Sequence, residues 1–221
     1  PAGPPLAGVL ALPGPRALGM AEGPAALSSP ADPQQERRFA AQAVEDLTEA
    51  LVFPQPVAVR EMLARARGLA GDWRSAAELW AGIAVEDKGT TARARQGHAL
   101  RQLGDPIGAA AAYEQYLGAG EVDDAGEAAL ALAEIWLEVG EPARAIAPAR
   151  QALAQARAAL DPARAGLAGG LLGQLLVATG AEAEARRVLR EALPLLVAEA
   201  GDNDAATQRA AALLAGLSGP A

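Results

Sequence analysis

The sequence predicts an all-α fold, a solenoid of antiparallel helix pairs, and three observations carry that expectation. The chain of 221 residues is 51% hydrophobic but only 3% aromatic. Alanine dominates, and alanine loses no side-chain entropy in a helix, whereas sandwiches and barrels fill their strands with aromatic and β-branched residues. Gly71, Gly104, Gly140 and Gly180 recur at spacings of 33, 36 and 40 residues, the range of a repeating helical unit. Around each of these glycines the same residue types return at the same offsets.

Residues 1–35 are rich in Pro, Gly and Ala. Each proline removes an N–H and restricts its predecessor, so no long helix is expected there. The composition points to an extended or disordered segment, with the apolar stretch Leu6 to Leu12 as its one docking feature. A helix is expected from near Gln34 to Val52, bounded as 36–53. Phe39, Ala43, Val44, Leu47 and Leu51 fall at helical spacing along it, and Pro54 and Pro56 stop it.

From residue 57 the repeating pattern takes over. A glycine can adopt the left-handed conformation that ends one helix, and the acidic residue after it can cap the next. Asp72, Asp105 and Glu141 stand in that place, while Ala181 is a poor cap. Seven residues before each glycine stands a small residue: Ala64, Gly97, Ala133 and Gly173. Five after stand Ala76, Ala109, Ala145 and Ala185. Nine after stand Trp80, Tyr113, Ala149 and Leu189, and twelve after stand Ile83, Tyr116, Ala152 and Ala192. Small residues let paired helices approach closely, and larger ones on the second helix fill the space between repeats.

This pattern resembles the tetratricopeptide repeat (TPR). Ala92 to Asp105, followed by Ala109 and Tyr113, is its cleanest copy. The resemblance covers about three quarters of the chain and divides it into repeats at 57–89, 90–125, 126–165 and 166–201, with a capping helix at 203–217. The longer last unit, with Gly201-Asp-Asn-Asp leading into another Ala/Leu helix, resembles the kinesin-light-chain type. The fold implied is a right-handed superhelix. Arg93 and Ala129 stand where the family carries early aromatics, and Pro148 and Pro194 fall inside second helices. Repeat four is expected to be the least regular.

Chemistry finds few footholds. With no cysteine, disulfides and thiolate metal sites are excluded. His98 is the only histidine, so a two-histidine zinc motif cannot be built, and Lys88, the only lysine, lies in Asp-Lys-Gly and not in a phosphate-binding loop with two glycines upstream. Ser28, Ser29, Ser75 and Ser218 occupy no nucleophile elbow. Gly118, Gly120 and Gly126 lack dinucleotide-loop spacing. Asp202-Asn203-Asp204 lacks the glycine and distal glutamate of a calcium loop and reads as a helix cap. Glu127 and Glu134 could share a helix face, but as a solvated stripe. No catalytic, cofactor or metal site is expected, and the chain is read as not an enzyme.

The net charge is −8, with Arg and Asp/Glu interspersed. Nucleic-acid binders cluster basic residues to release phosphate counterions, so no nucleic-acid partner is expected. The longest apolar run, Leu167 to Val177, is short and interrupted by Gln174, so no membrane span is expected. Gly166, Gly169, Gly170 and Gly173 on that run are read as permitting tight helix packing. The chain begins with Pro1, which points to a removed signal peptide, tag or other leader. A bacterial periplasm or cytoplasm is expected, the periplasm if that leader was a signal peptide.

The resemblance implies a partner polypeptide in a concave groove lined by first helices. Carried over, its positions are Glu61 and Arg65, then Ala94, Arg95, His98, Arg101 and Gln102. Further along stand Glu127, Leu130, Ala131, Glu134 and Leu137, then Gly170, Leu171, Gln174 and Val177. Arg65, Arg95, His98 and Arg101 would make a basic end for acidic groups of the partner, with an apolar anchor against repeats three and four. The lysine/asparagine set that clamps a C-terminal carboxylate in chaperone adaptors is not reproduced. The expected function is a protein-interaction scaffold or adaptor. The alternative is a structural subunit of a larger, cell-envelope multiprotein assembly that docks partly through its N-terminal segment.

Overall fold

A computed structural model of the chain describes residues 33–49, 57–86, 91–119 and 125–217. The expected extended segment lies outside these residues, apart from its last three positions, which are helical. By packing, the chain divides into Pro1–Glu36 and Arg37–Ala221, and the repeats described below all belong to the second unit.

The described residues form ten helices and no strand. They are α1 (Pro33–Glu49), α2 (Val57–Leu69), α3 (Trp73–Glu86), α4 (Ala92–Gln102), α5 (Pro106–Leu117), α6 (Ala125–Glu138), α7 (Pro142–Ala158), α8 (Pro162–Ala178), α9 (Glu182–Ala200) and α10 (Ala205–Gly216). From α2 onward each helix packs on the next, giving four antiparallel pairs and a final helix. On α1, Phe39 is 62% exposed while its neighbour Ala40 is buried, so the buried face is offset from the stripe that Phe39 would begin.

The turns inside the pairs share one hydrogen-bond pattern. Asp72, Asp105, Glu141 and Ala181 donate their N–H to the carbonyls of Arg67, Leu100, Trp136 and Leu176 at 2.8–2.9 Å. The preceding glycines donate to Gly68, Arg101, Leu137 and Val177 at 3.0–3.1 Å. This is the Schellman closure, which satisfies two orphan carbonyls and requires a left-handed residue. Gly71, Gly104, Gly140 and Gly180 supply it with φ of 79° to 89°. The α7–α8 turn makes the same pair of bonds, Asp161 to Ala156 and Leu160 to Arg157. There Leu160 takes a φ of 54° without glycine's freedom.

Helix starts follow the aspartate caps, whereas Glu141, expected to cap α7, makes no side-chain bond to it, and Pro142 opens that helix. Asp72 accepts from Ser75 N–H, Asp105 from Gly108, Asp161 from Arg164, and Asp204 from Ala206 and Thr207. Ala181 has no side-chain bond to offer α9, but Glu182 and Glu184 place negative charge in its first turn, where the helix dipole favours it. The fourth pair is the longest, with helices of 17 and 19 residues. Pro194 lies inside α9 and Pro148 inside α7, and both helices run through them.

Small residues set the approach of the pairs. A Cβ on Gly97 would stand 2.9 Å from the Tyr113 ring, and a Cβ on Gly169 would stand 2.8 Å from that of Ala192. Around them Leu63, Ile83, Ile135, Leu175, Leu176 and Leu189 are fully buried. The last helix closes the array. Leu189, Leu196 and Ala210 form a small core there, and the guanidinium of Arg186 donates to the Leu217 carbonyl.

Candidate functional site on the inner helices

The first helices of the pairs, α2, α4, α6 and α8, form an inner row that α10 continues. In its second half this row is closed, because α6 packs on α8 and α8 on α10. In its first half a concave groove opens, lined by residues of α2, α4 and α6.

The groove encloses a cavity of about 720 Å³. Arg65, Arg95, His98, Arg101, Glu127, Leu130 and Glu134 line it, with Ala94 and Ala131 between them. Nine of the groove positions that the resemblance implies therefore meet in one place. Gln102 is exposed at the end of α4 and Gln174 is half-buried on α8, and neither lines the cavity. Glu61, Leu137, Gly170, Leu171 and Val177 do not line it either. The reason for the α8 positions is the packing of α6 on α8, which ends the groove before repeat four.

The residues that the sequence pattern assigns to packing or leaves unassigned but that also line the cavity include four aromatics: Trp73, Trp80, Tyr113 and Tyr116. The chain has only three tryptophans and two tyrosines, so four of these five converge here. Trp80 and both tyrosines are almost fully buried and form the floor. The available signal was their confinement to the first two repeats.

Each polar group has a defined setting. Arg95 lies with its guanidinium carbon 5.5 Å from the centre of the Trp80 ring and donates from Nε to the Thr91 hydroxyl at 3.4 Å. Cations are drawn to the ring face. His98 meets Trp73 edge-to-face, with ring centres 5.7 Å apart. Arg65 makes no ion pair with any described residue. Arg101 reaches from α4 to α6, donating to Glu134 at 2.8 Å and Glu138 at 2.5 Å. Burial disfavours its charge, but the two carboxylates more than offset this and its pKa is raised. Glu127 is within 3.8 Å of Arg164. Burial pushes the Tyr113 phenol up to about 12, with the Arg101 charge opposing and Glu127 and Glu134 reinforcing the shift.

Among the described residues no group of three His, Cys, Asp or Glu side chains could hold a metal, and no helix is long and apolar enough to cross a membrane. A second depression, at the α8–α9 turn, is lined by Gly180 to Glu184 and Arg186 and has no aromatic wall.

No protein-family model and no curated protein matches the chain. Solved structures do. BtubC (BKLC) from P. vanneervenii is 19% identical over 85% of this chain and 84% of that one, with a TM-score of 0.62. MamA is 18% identical over 78% of this chain and 99% of its own, with a TM-score of 0.61. YrrB, described as a TPR protein with an unusual peptide-binding site, is 14% identical over 81% and 92%, with a TM-score of 0.52. At these identities the likeness concerns the fold: an all-α, TPR-like solenoid of antiparallel helix pairs.

Proposed function

We propose that this chain is a non-catalytic interaction scaffold that holds a segment of a partner polypeptide in the groove of α2, α4 and α6. The observation that carries this reading is the aromatic-floored cavity itself. Trp80, Tyr113 and Tyr116 fill space between repeats, yet the inner row also stays open over them and Trp73 and presents Arg65, Arg95 and His98 at the rim. Ligand sites combine apolar walls with a few placed polar groups in this way. YrrB's peptide-binding site offers a parallel on the same architecture. The segment's apolar side chains would rest on Trp73, Trp80 and Leu130, and its polar groups would meet Arg65, Arg95 and Glu127. We further assign α8 and α9 to the longer kinesin-light-chain type of repeat, supported by helices of 17 and 19 residues against 11 and 12 in α4 and α5.

A peptide-display selection tests the groove. The bait is the intact chain, with counter-selection on a variant carrying Ala94→Arg and Ala131→Arg. Both alanines are half-buried on the groove walls, and circular dichroism and melting verify that the variant folds. Peptides that bind the native chain and lose at least about tenfold in affinity on the blocked one are the expected result. Peptides that bind both equally would move the site to the convex face or to the N-terminal segment, as a structural-subunit role requires.

A further inference from the structure

We infer that Arg101 is a cross-groove clasp and not a ligand contact: it ties α6 to α4, sets the spacing of the two walls, and keeps partner carboxylates away from this end of the groove. The inference rests on the groove reading for its functional meaning, but its physical content can be measured without a partner.

The covalent connection between α4 and α6 runs through α5, so the two first helices are not chain neighbours. Elsewhere on the inner row neighbouring first helices pack directly, α6 on α8 and α8 on α10. Between α4 and α6 a charged fork joins the two walls. One guanidinium nitrogen reaches Glu134 and the other Glu138, carboxylates one helical turn apart on α6. A planar guanidinium holding two acceptors fixes orientation as well as distance, which a lysine point charge does not. The Arg101 side chain is 29% exposed, Glu134 43% and Glu138 55%, so the clasp runs from the groove wall to its solvent-facing edge.

The charge count points the same way. Arg101 stands between two carboxylates, so the fork carries no surplus positive charge. A partner carboxylate could engage Arg101 only by displacing Glu134 or Glu138. Arg65 and Arg95 meet no carboxylate among the described residues, which leaves the α2 side of the groove as its anion-accepting end. Arg74 and Arg190 are likewise without an ion pair among these residues, but neither lines the groove.

Because the chain contains no cysteine, paired spin labels can be introduced cleanly. Gln102→Cys and Val139→Cys place them at the exposed ends of α4 and α6, and pulsed dipolar spectroscopy reads their separation. The native Arg101 background should give one narrow distance distribution. Arg101→Gln should broaden and lengthen it, Arg101→Lys should do so in part, and Arg101→Glu combined with Glu134→Arg should restore it. An unchanged distribution in Arg101→Gln would overturn the clasp whatever the groove binds. A display-selected peptide supplies the second readout. Arg101→Gln should weaken it on the order of fivefold, the upper reach of an exposed ion pair, and the swapped pair should recover the loss. A swapped pair as weak as the single variant would make Arg101 a direct contact and sink the proposal.

Discussion

A Cβ built on Gly173 would stand 2.4 Å from Cδ2 of Leu189 and 2.5 Å from its Cγ. Leu189 is fully buried, so it cannot swing away into solvent. Gly173→Ala should therefore destabilise the array by about 1–3 kcal/mol through overpacking, despite alanine's better helix propensity. Gly82 on α3 is the control, since a Cβ there meets nothing within 4 Å. Gly82→Ala should stabilise by about 0.5–1 kcal/mol. Urea denaturation of the two variants should give opposite signs.

Leu160 carries two local disadvantages. It takes a left-handed conformation, and its side chain is 88% exposed. No packing is lost on its removal. Leu160→Gly should relieve strain and raise stability by about 1 kcal/mol net of glycine's entropy. In a domain of this size that is a rise in Tm of about 2–4 °C. A lower Tm would mean that this leucine makes a contact that its exposure does not reveal.

Tyr113 predicts an alkaline limit. Its phenol is held at about 12 in the folded chain, chiefly by burial, and titrates near 10 when unfolded. The folded pKa is raised, so its contribution is fully present below about 10 and is lost as pH climbs towards the folded value. Stability should fall between roughly pH 10 and 12, and Tyr113→Phe should flatten that limb. Absorbance at 295 nm against pH would show the late phenol directly.

Asp204 predicts an acid-sensitive end. Backbone N–H groups of Thr207 and Ala206 hold its carboxyl below the usual carboxylate range. The folded pKa is depressed, so capping of α10 is present above the unfolded value and fades as pH drops through the folded one. Protection factors at Ala206 and Thr207, taken against the intrinsic exchange rate at each pH, should fall in acid, and in Asp204→Ala at neutral pH. Equal protection in that variant would show that the cap is dispensable.

Local and periodic features were the legible ones. The four glycines announced left-handed turns because a helix can reverse tightly there only with φ above zero, and each has that conformation. Asp204 reads as a cap because three short acidic or amide residues precede a helical run, and it is one. Leu160 was hidden because it makes the glycine's bonds with the wrong residue. The site was half visible. The tetratricopeptide resemblance put Arg95, His98 and Arg101 on the groove face of α4, but it could not show that Arg101 meets carboxylates 33 and 37 residues away. Nor could it show that Trp80 and Tyr113, which fill space between repeats, also floor a cavity. That depends on how far α2, α4 and α6 stand apart, a distance written in no single repeat.

The uneven inner row gives the array an uneven elasticity. Where α6, α8 and α10 touch, extension and bending are resisted by packed side chains on both the inner and the outer helices. Around the cavity between α2, α4 and α6, the inner side is tied by the Arg101 fork. Tension applied between the ends would be absorbed mostly in the first two repeats, with the last two moving as a stiff handle. A polypeptide lodged across α2, α4 and α6 would then act as a splint, and its binding would register as stiffening of the whole array without reshaping the half it never touches.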